Sequence, residues 1–228
     1  MMLSARARML DAVRAGLLRA ELPDSSAQRP PLTIRPSQAT PAEMAETFST
    51  ALIALTGKVH DVAHAEAVVP AIAGILESYG VHEFLSWDDA DLGYPGLLAQ
   101  LAARGFHRVA YDLPFDAAGR DAAFQSLEGV GAGLTGAQAA LADSGAIVLA
   151  SGPGRGRLAS LLPPVHIAIV SRGRLFPSLP ALVAAHPELV TEGSNLVVIA
   201  GPSRTADIEM SLTHGVHGPK HVHVILTA

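Results

Sequence analysis

The spacing of hydrophobic and polar residues divides the first half of the chain into alternating helices and strands. Thr40-Pro41-Ala42-Glu43 has the residues of a capped helix start, and the helix is predicted to run to about Thr56 and to end at Gly57. Strand-like runs and helix-like spacing then alternate, the strands over residues 59–63, 81–87 and 107–113 and the helices over 65–79 and 97–103. This order predicts an α/β fold with a mainly parallel sheet flanked by helices.

The second half is richer in glycine and proline, and its predicted elements are shorter. Apolar runs predict four strands, over residues 146–150, 165–170, 196–200 and 222–226. Short helical segments are predicted over residues 116–126, 137–142 and 180–186. Asp143-Ser144-Gly145 predicts a turn before the first of these strands. Residues 41–228 are therefore predicted to form one α/β domain.

Residues 1–40 differ from this domain in their pattern. Apolar residues recur at helical spacing over 3–20 with arginines between them, which predicts an amphipathic helix. Residues 21–40 contain four prolines among polar residues and keep no apolar period, so they are predicted to form a linker or arm. An arginine-rich first helix also occurs in organellar targeting segments, but docking on its own domain or on a partner is the favoured interpretation.

The stretch from Asn195 to Glu209 combines structural and chemical signals. Leu196 to Ala200 is predicted to be a buried strand, Gly201-Pro202 ends it, and Ser203 has the properties of an N-cap for a following helix. A helix start after a strand leaves free backbone N–H groups, which favour anions, and Arg204 adds a positive charge. The alternative is an ordinary capped turn in which Arg204 pairs with Asp207 or Glu209.

Other polar corners border predicted strands, and we expect them to meet at one edge of the sheet, where ligands bind in open α/β folds. The residues predicted to bind an anion or substrate are Gly201, Ser203, Arg204, Thr205, Thr135, Gly136, Asp143 and Ser144. The glycine-rich segment 130–136 matches neither the dinucleotide fingerprint nor a phosphate-binding P-loop, and a second glycine-rich segment covers residues 151–157.

Composition excludes several classes of function. The formal charge is −5 without a dense run of Lys or Arg, which gives nucleic-acid binding no electrostatic support. The sequence has no cysteine, so it offers no thiolate nucleophile and no thiolate ligand for an iron–sulfur cluster. It has no apolar run long enough to span a membrane and no secretory signal pattern, and a cytoplasmic location is expected.

Four histidines near the end of the sequence raise the possibility of a zinc site: His214, His217, His221 and His223. If residues 221–223 form a strand, His221 and His223 point to the same side. A metal would need this pair to meet the other pair and further ligands. An incidental or partner-facing cluster is the favoured interpretation, and no metal ligand is predicted.

Four motifs together resemble the lactate utilization protein C family, the single-domain members of the LUD group. They are Asp143-Ser-Gly-Ala-Ile-Val-Leu149, Leu162-Pro-Pro-Val-His166, Gly201-Pro-Ser-Arg-Thr-Ala-Asp-Ile-Glu209 and Gly215-Val-His-Gly-Pro219. The match covers about residues 40–228 in order. Asp207, Glu209, Gly218 and Pro219 are motif positions without an assigned role.

The resemblance implies a fold similar to the sugar-phosphate isomerase and CoA-transferase superfamily. It also implies a role in oxidising L-lactate to pyruvate beside two iron–sulfur partner proteins. This chain would be the subunit without a cluster, with no cofactor of its own. In that setting the anion corner would hold a small carboxylate such as lactate or pyruvate, and His217 or His166 would be placed for proton transfer.

Two other hypotheses stay open. The chain could be a free-standing ligand-binding enzyme that acts on a phosphorylated or CoA-linked metabolite, with the glycine-rich segments around the phosphate. It could also be an assembly subunit that docks partners through helix 3–20 and the arm 21–40.

Overall fold

The computed structural model describes residues 5–20, 39–110, 116–191, 195–206, 212–214 and 218–228. The chain divides into two compact units, residues 1–34 and 35–228. The first unit contains helix α1 (Ala5–Arg19), which confirms the predicted first helix. No residue of α1 is buried, and its apolar residues Met9, Val13 and Leu17 are all more than half exposed. Most of the predicted arm, residues 21–38, lies outside the described residues.

The second unit is organised around a six-stranded parallel sheet. This confirms the predicted α/β fold with a mainly parallel sheet, although the strand over residues 132–136 is not among those predicted. Its strands are β1 (Lys58–Val62), β2 (Glu83–Ser86), β3 (His107–Arg108), β4 (Ala132–Gly136), β7 (Val165–Ser171) and β12 (His221–Thr227). Their spatial order is β1-β12-β7-β4-β2-β3. The central strands are buried on both faces, which is why their sequences are almost continuously apolar.

Helices precede or connect these strands: α2 (Pro41–Ala54), α3 (Val68–Ser78), α4 (Leu97–Ala102), α5 (Ala117–Leu127), α6 (Leu158–Leu161), α7 (Leu179–Ala185) and α8 (Glu188–Thr191). The predicted start of α2 is confirmed, since Thr40 caps the helix and Glu43 completes the capping box. Of the helices in the described part of the chain, none has the length and hydrophobicity to cross a bilayer.

The two faces of the parallel sheet are covered by different helices. Helix α6 packs so closely on one face that a Cβ at Gly133 would collide with the carbonyl oxygen of Ala159. The strand register places His166 beside Gly133 on this same face. On the opposite face, Tyr79 at the end of α3 contacts His221 and His223. The layered α/β architecture follows from this two-sided burial.

A second, four-stranded sheet was not predicted. It consists of β8 (Leu175–Phe176), β5 (Ala139–Leu141), β6 (Ala146–Ser151) and β9 (Asn195–Ile199), in that spatial order. The predicted helical turn over residues 137–142 is wrong, because β5 pairs with β6 across the turn at Asp143-Ser144-Gly145. Strand β9 lies at an edge and is only half-buried, with Val198 43% exposed, which corrects the predicted buried strand.

The predicted helix after Gly201-Pro202 is also wrong. Residues Arg204–Ala206 form β10, which pairs in antiparallel fashion with β11 (Leu212–His214). Asp207 and Glu209 lie outside the described residues, as does His217. Likewise, the glycine-rich segment 130–136 contains the central strand β4, so it does not form a phosphate-cradling loop, although its last residue ends at the sheet edge.

Candidate functional site

A cavity of about 540 Å³ opens where three neighbouring strands of the parallel sheet end. Gly136, Ser171 and Thr227 are the last residues of β4, β7 and β12, and all three line the cavity. The register places them on one face of the sheet together with Ile169, which also lines it. Ligands of open parallel sheets bind at the carboxyl ends of the strands, so this cavity is the candidate site.

One wall of the cavity is formed by the segment that follows β2. A Cβ at Gly136 would collide with the carbonyl oxygen of Asp91, so glycine permits the close approach of this wall. Trp87 Nε1 donates to the Gly156 carbonyl oxygen at 3.1 Å, and the Asp88 N–H donates to that of Gly154 at 2.8 Å. These bonds fasten the wall to the glycine-rich loop 152–157.

Arg155 locks the same wall electrostatically. Its Nη1 lies 3.0 Å from Asp91 Oδ1, and its Nε donates to the Ala150 carbonyl oxygen at 3.0 Å. Both groups line the cavity, but the positive charge of Arg155 is already balanced by Asp91. The first role of Arg155 is therefore structural, because it fixes the position of Asp91 relative to β6 in the cavity wall.

Arg174 is the cation available to a ligand. It lies in the turn after β7, is exposed, and lines the cavity without a hydrogen bond or ion pair to any described residue. Gln138 also lines the cavity, and its Oε1 accepts from the Ala150 N–H at 2.7 Å, which leaves its NH2 group as a donor. A planar guanidinium beside an amide donor suits an anion such as a carboxylate or phosphate.

The sequence analysis missed Arg174, Arg155, Asp91 and Gln138. A signal was present, because Arg172-Gly173-Arg174 directly follows the strand predicted over residues 165–170, and Asp88 to Asp91 follow the strand predicted over 81–87. Polar residues directly after parallel strands lie at the binding edge. The expectation was instead drawn to Arg204 by the apparent helix start.

Of the predicted site residues, Gly136 lines the cavity. Thr135 and His166 contact each other on the other face of the sheet. Thr135 Oγ1 and His166 Nε2 are 2.9 Å apart on the face opposite the cavity, where both side chains are fully buried. Burial lowers the pKa of His166 to about 4, so its ring is neutral at physiological pH. Its Nδ1 has no hydrogen-bond partner among the described residues. His166 does not reach the cavity.

The predicted corners do not converge on one edge. The Ser203 N–H donates to the Pro219 carbonyl oxygen at 2.9 Å, and Gly218 packs against the Ser203 side chain. Pro219 precedes β12, so this group lies toward the amino end of the strand whose carboxyl end borders the cavity. The Ser203 N–H is therefore not free for an anion.

Gly201, Arg204, Asp143 and Ser144 lie near the end of helix α2. Gly201 has a φ of +82° and packs against Leu55, and Arg204 Nη2 donates to the Leu55 carbonyl oxygen at 3.3 Å. Gly145, in the turn with Asp143 and Ser144, packs against the backbone of Leu52 in the same helix. A cation at the carboxyl end of a helix is electrostatically favourable. Thr205 pairs with Thr213 in the β10–β11 hairpin.

The predicted same-side placement of His221 and His223 is confirmed, since both rings contact Tyr79. His223 Nδ1 lies 2.9 Å from His60 Nε2, and its Nε2 lies 3.1 Å from the Tyr79 hydroxyl. The His60 and His223 rings are nearly coplanar, at 11°, with centroids 5.2 Å apart, so their nitrogens point at each other. That geometry suits a shared proton, whereas a metal needs both lone pairs to converge on one point.

Burial, followed by the electrostatic influence of His60 and Lys58, lowers the pKa of His223 to about 3. The His223 ring is therefore uncharged at neutral pH. No group of three or more His, Asp or Glu side chains within the described residues is placed to hold a metal.

The chain is similar in sequence to proteins named lactate utilization protein C. Lactate utilization protein C of Halalkalibacterium halodurans is 36% identical over 155 residues, which are 65% of this chain and 64% of that protein. The protein of the same name from a Geobacillus species is 32% identical over 158 residues, which are 67% of this chain and 66% of that protein. The matched part of the chain thus spans slightly less than two thirds of these relatives.

The crystal structure of a DUF162 family protein from Deinococcus radiodurans is similar in fold, with a TM-score of 0.60 and 24% identity. The similarity covers 83% of this chain and 99% of that chain. A family model described as the LUD domain matches residues 45–227, which is most of the second unit. The chain therefore belongs to the LUD domain family.

Proposed function

We propose that this protein is a component of a system that oxidises L-lactate to pyruvate, and that it binds an anionic ligand in the cavity at the carboxyl edge of its parallel sheet. The names of its relatives support the lactate role. The observation that carries the binding role is Arg174, which lines the cavity without a partner among the described residues.

The oxidation removes two electrons and two protons from lactate, so the system needs an electron acceptor. This sequence contains no cysteine and can supply no thiolate ligand to a cluster. The family resemblance implies two iron–sulfur partner proteins, and we propose that their clusters accept the electrons. This chain would bind a carboxylate substrate or product, or help to assemble the complex.

Growth on L-lactate tests this function with a matched pair of arginine variants. A deletion strain complemented with Arg174→Ala is expected to grow on L-lactate far more slowly than one complemented with the wild type, because the cavity loses its uncompensated cation. Growth on glucose should be unchanged. Arg157→Ala is the control, since Arg157 is also exposed but does not line the cavity.

Immunoblots must show equal amounts of each variant. Normal growth of the deletion strain itself on L-lactate would remove the lactate role. Normal growth with Arg174→Ala alone would remove only the assignment of the cavity.

The size of the cavity favours a second candidate, a free-standing enzyme that acts on a phosphorylated or CoA-linked metabolite. A cavity of about 540 Å³ is in the range that holds drug-sized ligands, whereas lactate has only three carbons. Thermal-shift measurements with lactate, pyruvate, sugar phosphates and CoA distinguish the two. The second candidate would be favoured by two results together. Phosphates would raise the melting temperature of the protein, and growth on L-lactate would not require the protein.

A further inference from the structure

A second cavity of about 420 Å³ adjoins the first, and Arg174 lines both, so we describe them as two lobes. Gln138 and Leu189 are also common to the two lobes, so these three residues form the waist of one cleft. The first lobe is bounded by glycine backbone and the Asp91–Arg155 pair. The cleft thus has two lobes, and Arg174 lies between them.

The second lobe differs in chemistry from the first. Phe176 and His186 line it, with their rings nearly perpendicular, at 87°, and their centroids 5.5 Å apart. Phe176 is half-buried, so part of its ring remains accessible. Glu188 is the carboxylate that lines this lobe, and its Oε1 lies 2.9 Å from His186 Nδ1. An aromatic corner whose carboxylate is already paired suits a flat, uncharged ring.

We propose that the two-lobed cleft binds a ligand in which a planar heteroaromatic ring is joined to a phosphate group, as in a nucleotide. The phosphate would lie at the waist, where the Arg174 guanidinium can donate hydrogen bonds to two of its oxygens and the Gln138 amide can donate to another. The ring would lie against Phe176 and His186 in the second lobe, because a base offers a π-face to any aromatic side chain. A small carboxylate alone would leave this lobe unused.

This inference rests on the proposed anion-binding function of the cavity and adds the ring. Calorimetric titration of the full-length protein with AMP, UMP, ribose 5-phosphate and L-lactate tests it. We expect AMP and UMP to bind roughly tenfold more tightly than ribose 5-phosphate, since stacking on an aromatic side chain contributes on that scale.

Two variants separate the contributions of the waist and the second lobe. Arg174→Ala should weaken AMP and ribose 5-phosphate alike, by about tenfold or more, because both lose the same phosphate contact. Phe176→Leu keeps apolar volume but no aromatic face, and it should bring AMP down to the affinity of ribose 5-phosphate without changing the latter. Arg157→Ala is the control for charge, and circular dichroism checks that each variant is folded.

The outcomes distinguish the two proposals. Equal affinities of AMP and ribose 5-phosphate, both sensitive to Arg174→Ala, would overturn the ring lobe and leave the anion site standing. Equal losses of both ligands in Phe176→Leu would also overturn the ring lobe. Failure of every phosphate and of lactate to bind would overturn the anion site and the nucleotide inference together.

Discussion

At the scale of single residues, His166 couples the stability of the protein to pH. The ring is enclosed between β7 and α6, and its pKa falls from about 6.5 to about 4 because the charged form would be buried. The unfolded chain therefore takes up a proton at a pH where the folded chain does not. The contribution of the neutral His166 to the free energy of unfolding is fully present above about pH 6.5 and is lost as the pH falls toward 4. His223 acts in the same direction.

The resulting prediction concerns His166→Gln, which keeps a donor near Thr135 but does not titrate. Between pH 7.5 and pH 5 the wild type should lose about 2 kcal/mol more unfolding free energy than this variant. Urea denaturation at both values measures the difference. His64→Gln is the matched control, because His64 is exposed and meets solvent in both states. Equal losses in the wild type and His166→Gln would show that His166 titrates normally in the folded protein.

At the scale of elements, the contact between β4 and α6 leaves no room for a side chain at Gly133. Gly133→Ala would drive a methyl group into the Ala159 carbonyl, which is backbone and cannot rotate away. We expect a loss of about 3 kcal/mol or more, at the upper end of overpacking costs. Gly74→Ala is the control, since this glycine is exposed in α3 with nothing within 4 Å of the added Cβ.

Gly74→Ala should instead stabilise the protein by about 0.5–1 kcal/mol, because alanine favours the helix. Denaturant midpoints measure both variants. A Gly133→Ala protein as stable as the wild type would mean that α6 can move away from the sheet.

The elements also show which signals in the sequence suffice. Thr40 and Glu43 determine the start of α2 locally, and apolar runs predict the buried strands β7 and β12. Alanine favours helices, so residues 137–142 predict a helical turn, but β5 pairs with β6 across the turn at Asp143-Ser144-Gly145 and with the more distant β8. Ser203 follows Gly-Pro, which precedes helices and hairpins alike, and only pairing with Leu212–His214 distinguishes them.

At the scale of the whole molecule, the βαβ order predicts the binding edge and marks the polar residues that follow its strands, but it does not predict which of those residues contact one another across the cavity. Arg174, Arg155 and Asp91 come from three separate connections, and only the fully assembled sheet brings them together. The second lobe adds residues from α8 and from the unpredicted sheet. Spacing along the chain carries no signal for such contacts.

The division into two units leads to a prediction about truncation. Removing residues 1–38 keeps Thr40 and its capping box, and all strands of the described sheets lie beyond it. We expect the melting temperature to change by no more than about 2 °C, because α1 buries no residue. Differential scanning calorimetry of the truncated and full-length chains measures this. A fall of about 10 °C would show that the first unit contributes to the stability of the second.

The position of β12 affects how the protein can be made. This strand lies between β1 and β7, so β1 has no neighbour in its sheet until residues 221–227 have been synthesised. Residues 63–220 separate the two partners along the chain. A ribosome therefore releases β1 long before it can pair with β12, and an unpaired strand edge is a target for aggregation. Completion of the sheet, and with it the edge that Thr227 shares with the cavity, therefore waits for the synthesis of β12.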